Sequence, residues 1–235
     1  MRLFSTKKRP VHMGPYPTER LKRGGMPDLT EVPPMCALSF RRPEAPESIV
    51  NAMCEYQAML DAIRDGMINK AVSEIPVDPK ERTDHLKAFG FFSDASMVGV
   101  CRLQDTDLLS KPFNNPDIAY LAEALRTRQT KTLAAGIDGI MADLKESMEA
   151  PPTTINGHTH ALIFLYENPR DIRSDEPGTD WLKDALSHRA CLRANETAAV
   201  IANYIRLLGY DAKSHSGSAS DVDLNQLAVT AGIVW

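Results

Sequence analysis

Arg193–Ser216, RANETAAVIANYIRLLGYDAKSHS, is the stretch on which the fold turns. It closes a long helix that we read from about Asp180 to Leu208. Gly209 then stands where helices commonly end in a left-handed residue, a conformation open to glycine. The YDAKSHS segment that follows reads as a strand. After it, DVDLNQLAVTAGI reads as a helix opened by Asp221 or Asp223, because a carboxylate at the N-cap accepts the first free backbone N–H groups. Helix, strand and helix in such close succession imply an α/β arrangement, with helices laid on a sheet.

Working outward, HALIFLY (160–166) is a second strand, stopped at Asn168–Pro169, and ASMVGVCRL (95–103) is a third, followed by a turn at QDTD. DPKERTDHLKAFGFF (78–92) is a helix with Asp78 as cap and Pro79 at its first position. Further helices are expected at about 117–128 and 130–149. From Ser48, the residues Ile49, Met53, Tyr56, Leu60, Ile63 and Met67 recur at three- and four-residue steps, which predicts a helix with that stripe in the core. The order is helix, helix, strand, two helices, strand, helix, strand, helix: a small sheet covered by helices in three layers. Residues 1–47 differ. Pro10, Pro15, Pro17, Pro27, Pro33 and Pro34 repeatedly remove backbone donors, while Phe4, Tyr16, Leu29, Val32 and Phe40 offer apolar surface. We read an extended N-terminal arm over 1–47 that wraps a body formed by 48–235.

The 235 residues are 43% hydrophobic and 25% charged, ordinary for a soluble globular protein. No apolar run is long enough to span a bilayer. The net charge of −4 gives no general attraction to nucleic acid or to anionic membrane. Residues 1–25 are nevertheless basic, and read as a solvated or partner-docking extension. No apolar stretch follows them, so no signal peptide is expected and the location is read as cytoplasmic. Cys36, Cys54, Cys101 and Cys191 are scattered, with no C-x-x-C pair, no iron–sulfur run and no disulfide framework.

Few residues carry chemistry. His158 and His160 lie two apart at a strand entrance and could face one side as metal ligands, or be polar residues at a sheet edge. SHSGSAS (214–220) is a small polar loop that could offer N–H groups and hydroxyls to an anionic or amide-bearing ligand, or simply connect two elements. There is no G-K-[ST] phosphate loop, no nucleophile–base pair and no dinucleotide-binding loop.

Several of these stretches, in order, resemble the front part of the cobalamin-dependent reductive dehalogenases and their relatives, the epoxyqueuosine reductases. HLKAFGFFSDASMVGVCRL (85–103) resembles that family's helix running into a -VGI- strand, and GHTHALIFLYENPRD (157–171) its H-K-Y-A-I-V-F strand. The 193–216 stretch looks like its long helix ending in -LGY-, and DLNQLAVTAGI (223–233) is similar to its -LA-x-x-AGLG- segment. The resemblance runs from about Asp84 to the C-terminus, with 105–150 unmatched; AGIVW stands where AGLG is usual.

The resemblance implies a nitroreductase-like α/β (α+β) fold that binds cobalamin base-off and removes halide from an organohalide. It places two [4Fe–4S] clusters, the catalytic tyrosine and its basic helper on a missing or separate C-terminal polypeptide, the expected partner, so no catalytic or metal-ligating residue is carried over. Cofactor contacts are expected from Tyr210, His215, Ser216, Asp223, Leu224 and Gly232. The type implied is the cytoplasmic, oxygen-tolerant one. A non-catalytic cobalamin-binding or scaffolding module, and a flavin nitroreductase-type enzyme, are the alternatives. The chain is expected to be incomplete, with Ile233, Val234 and Trp235 packing against a neighbouring chain or at a truncated edge.

Overall fold

The computed structural model describes residues 8–20, 25, 28–38, 41–127, 157–183 and 185–234. The helix expected at 130–149 and the packing expected of Trp235 lie outside the described residues. Four strands and six α-helices are described: α1 (Ile49–Ala62), α2 (Pro79–Phe92), β1 (Met97–Arg102), β2 (Leu108–Phe113), α3 (Asp117–Thr127), β3 (His160–Leu165), α4 (Thr179–Leu182), α5 (Ala185–Leu207), β4 (Ser220–Val222) and α6 (Leu224–Thr230). The fold is α+β.

The helix expected over 180–208 is in two pieces, α4 and α5. Gly209 ends α5 as anticipated, at φ +88°. Its N–H reaches Arg206 O and the Tyr210 N–H reaches Ile205 O, so the last carbonyls of the helix are satisfied. A β-carbon here would stand 2.6 Å from Ala71 O, because residues 69–73 run against this terminus. Asn69 N–H and Ser73 N–H donate to Arg206 O and Leu208 O.

β1 and β3 pair antiparallel, from Met97 opposite Leu165 to Arg102 opposite His160. Side chains alternate across such a ladder. The Val98–Phe164 pair meets α2 at Gly90, and the Gly99–Ile163 pair meets the end of α6 at Ala231 and Ile233. Helices thus cover both faces of this two-stranded sheet. Ile163, Val222, Leu227 and Ile233 form one buried core cluster. Ile233 is thus buried within its own chain, and Val234 lines a cavity described below.

Two sequence expectations fail. The third strand is not at YDAKSHS. Residues 210–216 are irregular, and the strand lies later, at β4, paired antiparallel with β2 in a second sheet. The reason is where the backbone bonds go: Ser214 N–H donates to Arg64 O at the end of α1, and Ser216 N–H folds back to Ala219 O. The apolar stripe of α1 is the second failure. Tyr56 and Ile63 are 62% and 54% exposed, and Met67 is 96% exposed. The helix, capped by Ser48, ends at Ala62 and buries Val50, Cys54, Gln57, Ala58 and Asp61 instead. Two polar side chains thus sit on the inward face, and their partners explain why.

Candidate functional site

A cavity of about 1000 Å³ opens between β3, the inner face of α5, the 211–217 segment and α6. Most of its wall is aliphatic, from Ile163 on β3, Ala198 and Ile201 on α5, and Leu227 on α6. Its polar end is built by His158, Lys213 and His215. Asp28, Glu31 and Leu38 from the N-terminal residues also reach it. They are fastened there. Leu38 N–H donates to Gly217 O at 2.8 Å, and Asn225 Nδ2 donates to Pro33 O at 3.1 Å. A side chain at Gly217 would press on the Leu38 side chain, which would have to move aside.

The loop is held from beneath by Asp61, which is 3% exposed. Its Oδ1 accepts from Asn195 Nδ2 and Ser216 Oγ, each at 2.7 Å. Its Oδ2 accepts from Asn115 Nδ2 at 2.8 Å and Ser218 Oγ at 2.5 Å. These donors come from α5, the 214–218 loop and the residues before α3, so one carboxylate joins α1 to three other segments. All are neutral.

The second buried carboxylate, Asp221, is handled differently. Arg64 Nη2 lies 2.9 Å from Oδ1, and Lys213 Nζ lies 2.6 Å from Oδ2. Burial by itself would raise this carboxyl, but Lys213 and Arg64 outweigh it and hold Asp221 below the usual carboxylate range. Arg64 Nη2 also reaches Asn114 Oδ1 at 2.9 Å, while its Nη1 is buried with no hydrogen-bond partner. His215 belongs to the same group. Its Nδ1 accepts the Asp221 N–H at 3.3 Å, which leaves the ring proton on Nε2. Burial pushes its pKa down to about 3, with Asp221 opposing and Arg64, Lys213 and His158 reinforcing, so the ring is neutral at pH 7.

Of the residues singled out in the sequence, His215, Ser216 and Leu224 meet on the cavity wall. The Ser216 hydroxyl is engaged elsewhere, donating to Asp61 and accepting the N–H groups of Ser218 and Ala219. That saturates a hydroxyl, so the loop is not the open set of donors expected. Tyr210 is outside the cavity wall; its hydroxyl donates to Ser73 O. Asp223 caps α6, as one of the two expected residues. It accepts from Asn225 and Gln226 N–H on Oδ1 and from Met35 N–H on Oδ2. Gly232 follows α6 at φ +67°. His158 stands 3.0 Å from Asp211 Oδ2, while His160 Nδ1 pairs with Thr159 Oγ1, and among the described residues no three acidic, His or Cys side chains gather as a metal site would require. Cys191, on the cavity wall, is a thiol pushed up by burial and by Asp61.

Sequence reading missed Asp61, Arg64 and Lys213, and took Asp221 only as a possible helix cap. The available signal was the nearness of Asp61 to Arg64, opposite charges where α1 gives way to the following bend.

No family model and no curated protein matches the chain. Solved structures do. The chain is 29% identical to the catabolic reductive dehalogenase NpRdhA, with a TM-score of 0.68 over 99% of this chain and 27% of that one. The complex of that dehalogenase with 3-bromo-4-hydroxybenzoic acid gives a TM-score of 0.70 at the same identity and coverage. A further reductive dehalogenase structure, described as suggesting a mechanism for B12-dependent dehalogenation, gives 0.66 at 29% identity, over 26% of its chain. The present chain thus spans about a quarter of the length of these proteins, and over that quarter it is reductive dehalogenase-like.

Proposed function

We propose that this chain is a portion or subunit of a reductive dehalogenase-like oxidoreductase, and that its cavity takes part in holding cobalamin. The observation that carries this reading is the likeness over 99% of the chain to dehalogenases, one described as B12-dependent. The wall suits such a guest in kind. A corrin is rimmed by methyl groups and by amide side chains, and the cavity pairs an aliphatic surface with a polar end at Lys213 and the His215 Nε2–H. When bound, cobalamin supplies the cobalt centre through which electrons reach an organohalide and halide is lost. What this chain contributes is a dry apolar wall, a neutral donor at His215 and a loop fixed by Asp61.

In this reading the arrangement is nitroreductase-like and the protein cytoplasmic. The catalytic groups and two [4Fe–4S] clusters reside on further polypeptide, so the isolated chain is expected not to dehalogenate. Titrating hydroxocobalamin into the purified chain under reducing conditions tests the first half of this. A saturable change in the visible spectrum is expected. An unchanged spectrum, alone and with any companion polypeptide, would remove cobalamin from the reading. Halide release from 3-bromo-4-hydroxybenzoate by the isolated chain would contradict the division of labour.

A further inference from the structure

The walls of the cavity are not equally secured. Those from β3, α5 and α6 include Ile163, Ile201 and Leu227, all buried. The wall from residues 28–38 is different. Asp28, Glu31, Val32, Pro33 and Leu38 line the cavity, yet no residue of 28–38 is buried and none joins the buried core clusters. This segment is therefore the thin part of the wall, with the cavity on one side and solvent on the other. Among the described residues, four hydrogen bonds fasten it to the rest, all to Gly217–Asn225. Leu38 N–H donates to Gly217 O at 2.8 Å, Met35 N–H to Asp223 Oδ2 at 3.1 Å and Asn225 Nδ2 to Pro33 O at 3.1 Å, while Leu224 N–H reaches Met35 Sδ at 3.4 Å. No hydrogen bond or ion pair among the described residues runs from it to β3 or α5. Pro33 and Pro34 lack N–H groups, so the segment cannot pair along a strand edge, and their fixed φ keeps it stiff. Its first turn is held by its own groups, since the Asp28 carboxylate accepts from Thr30 N–H and Oγ1.

We propose that residues 28–38 are a strap that opens as a unit by releasing these four bonds, and that this opening is the entrance to the cavity. Opening any other wall would disrupt a buried cluster or a helix, whereas lifting the strap exposes little apolar surface that water does not already reach. Segments with few buried contacts and exposed backbone bonds are the ones that open locally at low free energy. Closed, the strap lays Val32 and Leu38 on the cavity and shields a ligand from water. As an entrance, the strap rests on the cavity being a ligand site, which the cobalamin reading requires; its opening can be measured without any ligand.

Amide hydrogen exchange of the 235-residue chain, followed by NMR, tests the opening. The Met35 and Leu38 N–H groups are expected to exchange about a hundredfold faster or more than Ala199 and Ile201 in α5. Asn225→Ala, which removes one of the four bonds, should speed them about fivefold further. A lock tests the entrance. A β-carbon at Gly217 would stand 3.7 Å from Leu38 Cβ, a disulfide's span. Leu38→Cys with Gly217→Cys, in a Cys36→Ser background, therefore ties the strap shut, with circular dichroism confirming the fold. Cys191, on the cavity wall, is the reporter. Its labelling by N-ethylmaleimide, mapped by peptide mass, should slow about tenfold or more in the locked form relative to Cys36→Ser. Hydroxocobalamin should show the same slowing in the rate of its spectral change. Strap amides protected as well as those of α5, or unmoved by Asn225→Ala, overturn the opening. Equal Cys191 labelling with and without the lock overturns the entrance. A lock that shields Cys191 while hydroxocobalamin shows no spectral change with either form upholds the strap and removes cobalamin.

Discussion

Asp61 and Asp221 are equally buried, and the protein stabilises them in opposite ways. Asp61 is met by five neutral donors, Asn115, Asn195, Ser216, Ser218 and the longer Gln57 contact, whereas Asp221 takes two cations. The first arrangement joins segments and points nothing at the cavity; the Ser216 hydroxyl is turned inward to serve it. The second ties Arg64, just after α1, and Lys213, on the cavity wall, to β4. One carboxylate is stabilised by dipoles and the other by full charges, so removing them should fail in different ways.

The largest expected effect is at Asp221. Asp221→Asn leaves Lys213 and Arg64 buried without their counter-ion, which should cost about 3–5 kcal/mol in urea unfolding. Adding Lys213→Met should recover part of that loss, because the unpaired charge is removed with it. A double variant no more stable than Asp221→Asn would break the comparison, making Asp221 another purely structural hub.

Asp61→Asn comes next. An amide can accept at one atom only, so the donors to the other atom lose their partner, at about 2–4 kcal/mol by the same measurement. It should also weaken binding of any cavity ligand that touches the 214–217 loop. No second substitution that merely removes a charge should rescue it, since no cation contacts Asp61.

The pH dependence sharpens the contrast further. The His215 pKa is depressed to about 3 in the folded state, while the unfolded chain takes up its proton near pH 6.5. The unfolded state therefore binds more protons than the folded state between these values. Stability is fully present above pH 6.5 and falls as the pH drops toward 3, by up to about 1.4 kcal/mol per pH unit. Asp221, held below its ordinary value, adds a loss that begins only as the pH falls through the normal carboxylate range. His215→Asn should flatten the decline between pH 6.5 and 4.5. An unchanged decline there would assign it to other groups.

The smallest effect is expected on the outer face of α1. Tyr56→Ser should alter stability by less than about 0.5 kcal/mol, because the ring is already in water. A large loss would mean that the stripe has a packing partner after all.

How much of this was legible in the sequence follows from range. Local features were: Asp78 with Pro79 opening α2, Gly209 ending α5 and Asp223 opening α6 each act within a few residues of themselves. Long-range ones were not. Four of the partners of Asp61 lie 54 to 157 residues away, so an aspartate that looks like surface is in fact a buried junction between distant segments. Its burial rotates α1 away from the apolar stripe that periodicity favours. The strand expected at 210–216 failed for the same reason, since its backbone bonds end on Arg64 and Ala219 rather than on a neighbouring strand. Of the residues the resemblance named, His215, Ser216 and Leu224 line the cavity, whereas the charges behind them came to light only through the fold.

Thermal unfolding of the 235-residue chain with and without hydroxocobalamin tests the ligand role of the cavity most directly. A cavity that holds the corrin predicts a rise in Tm that grows with ligand concentration, with about 2.7 kcal/mol of added stability at one hundred times Kd. A Tm unmoved at millimolar hydroxocobalamin would contradict it.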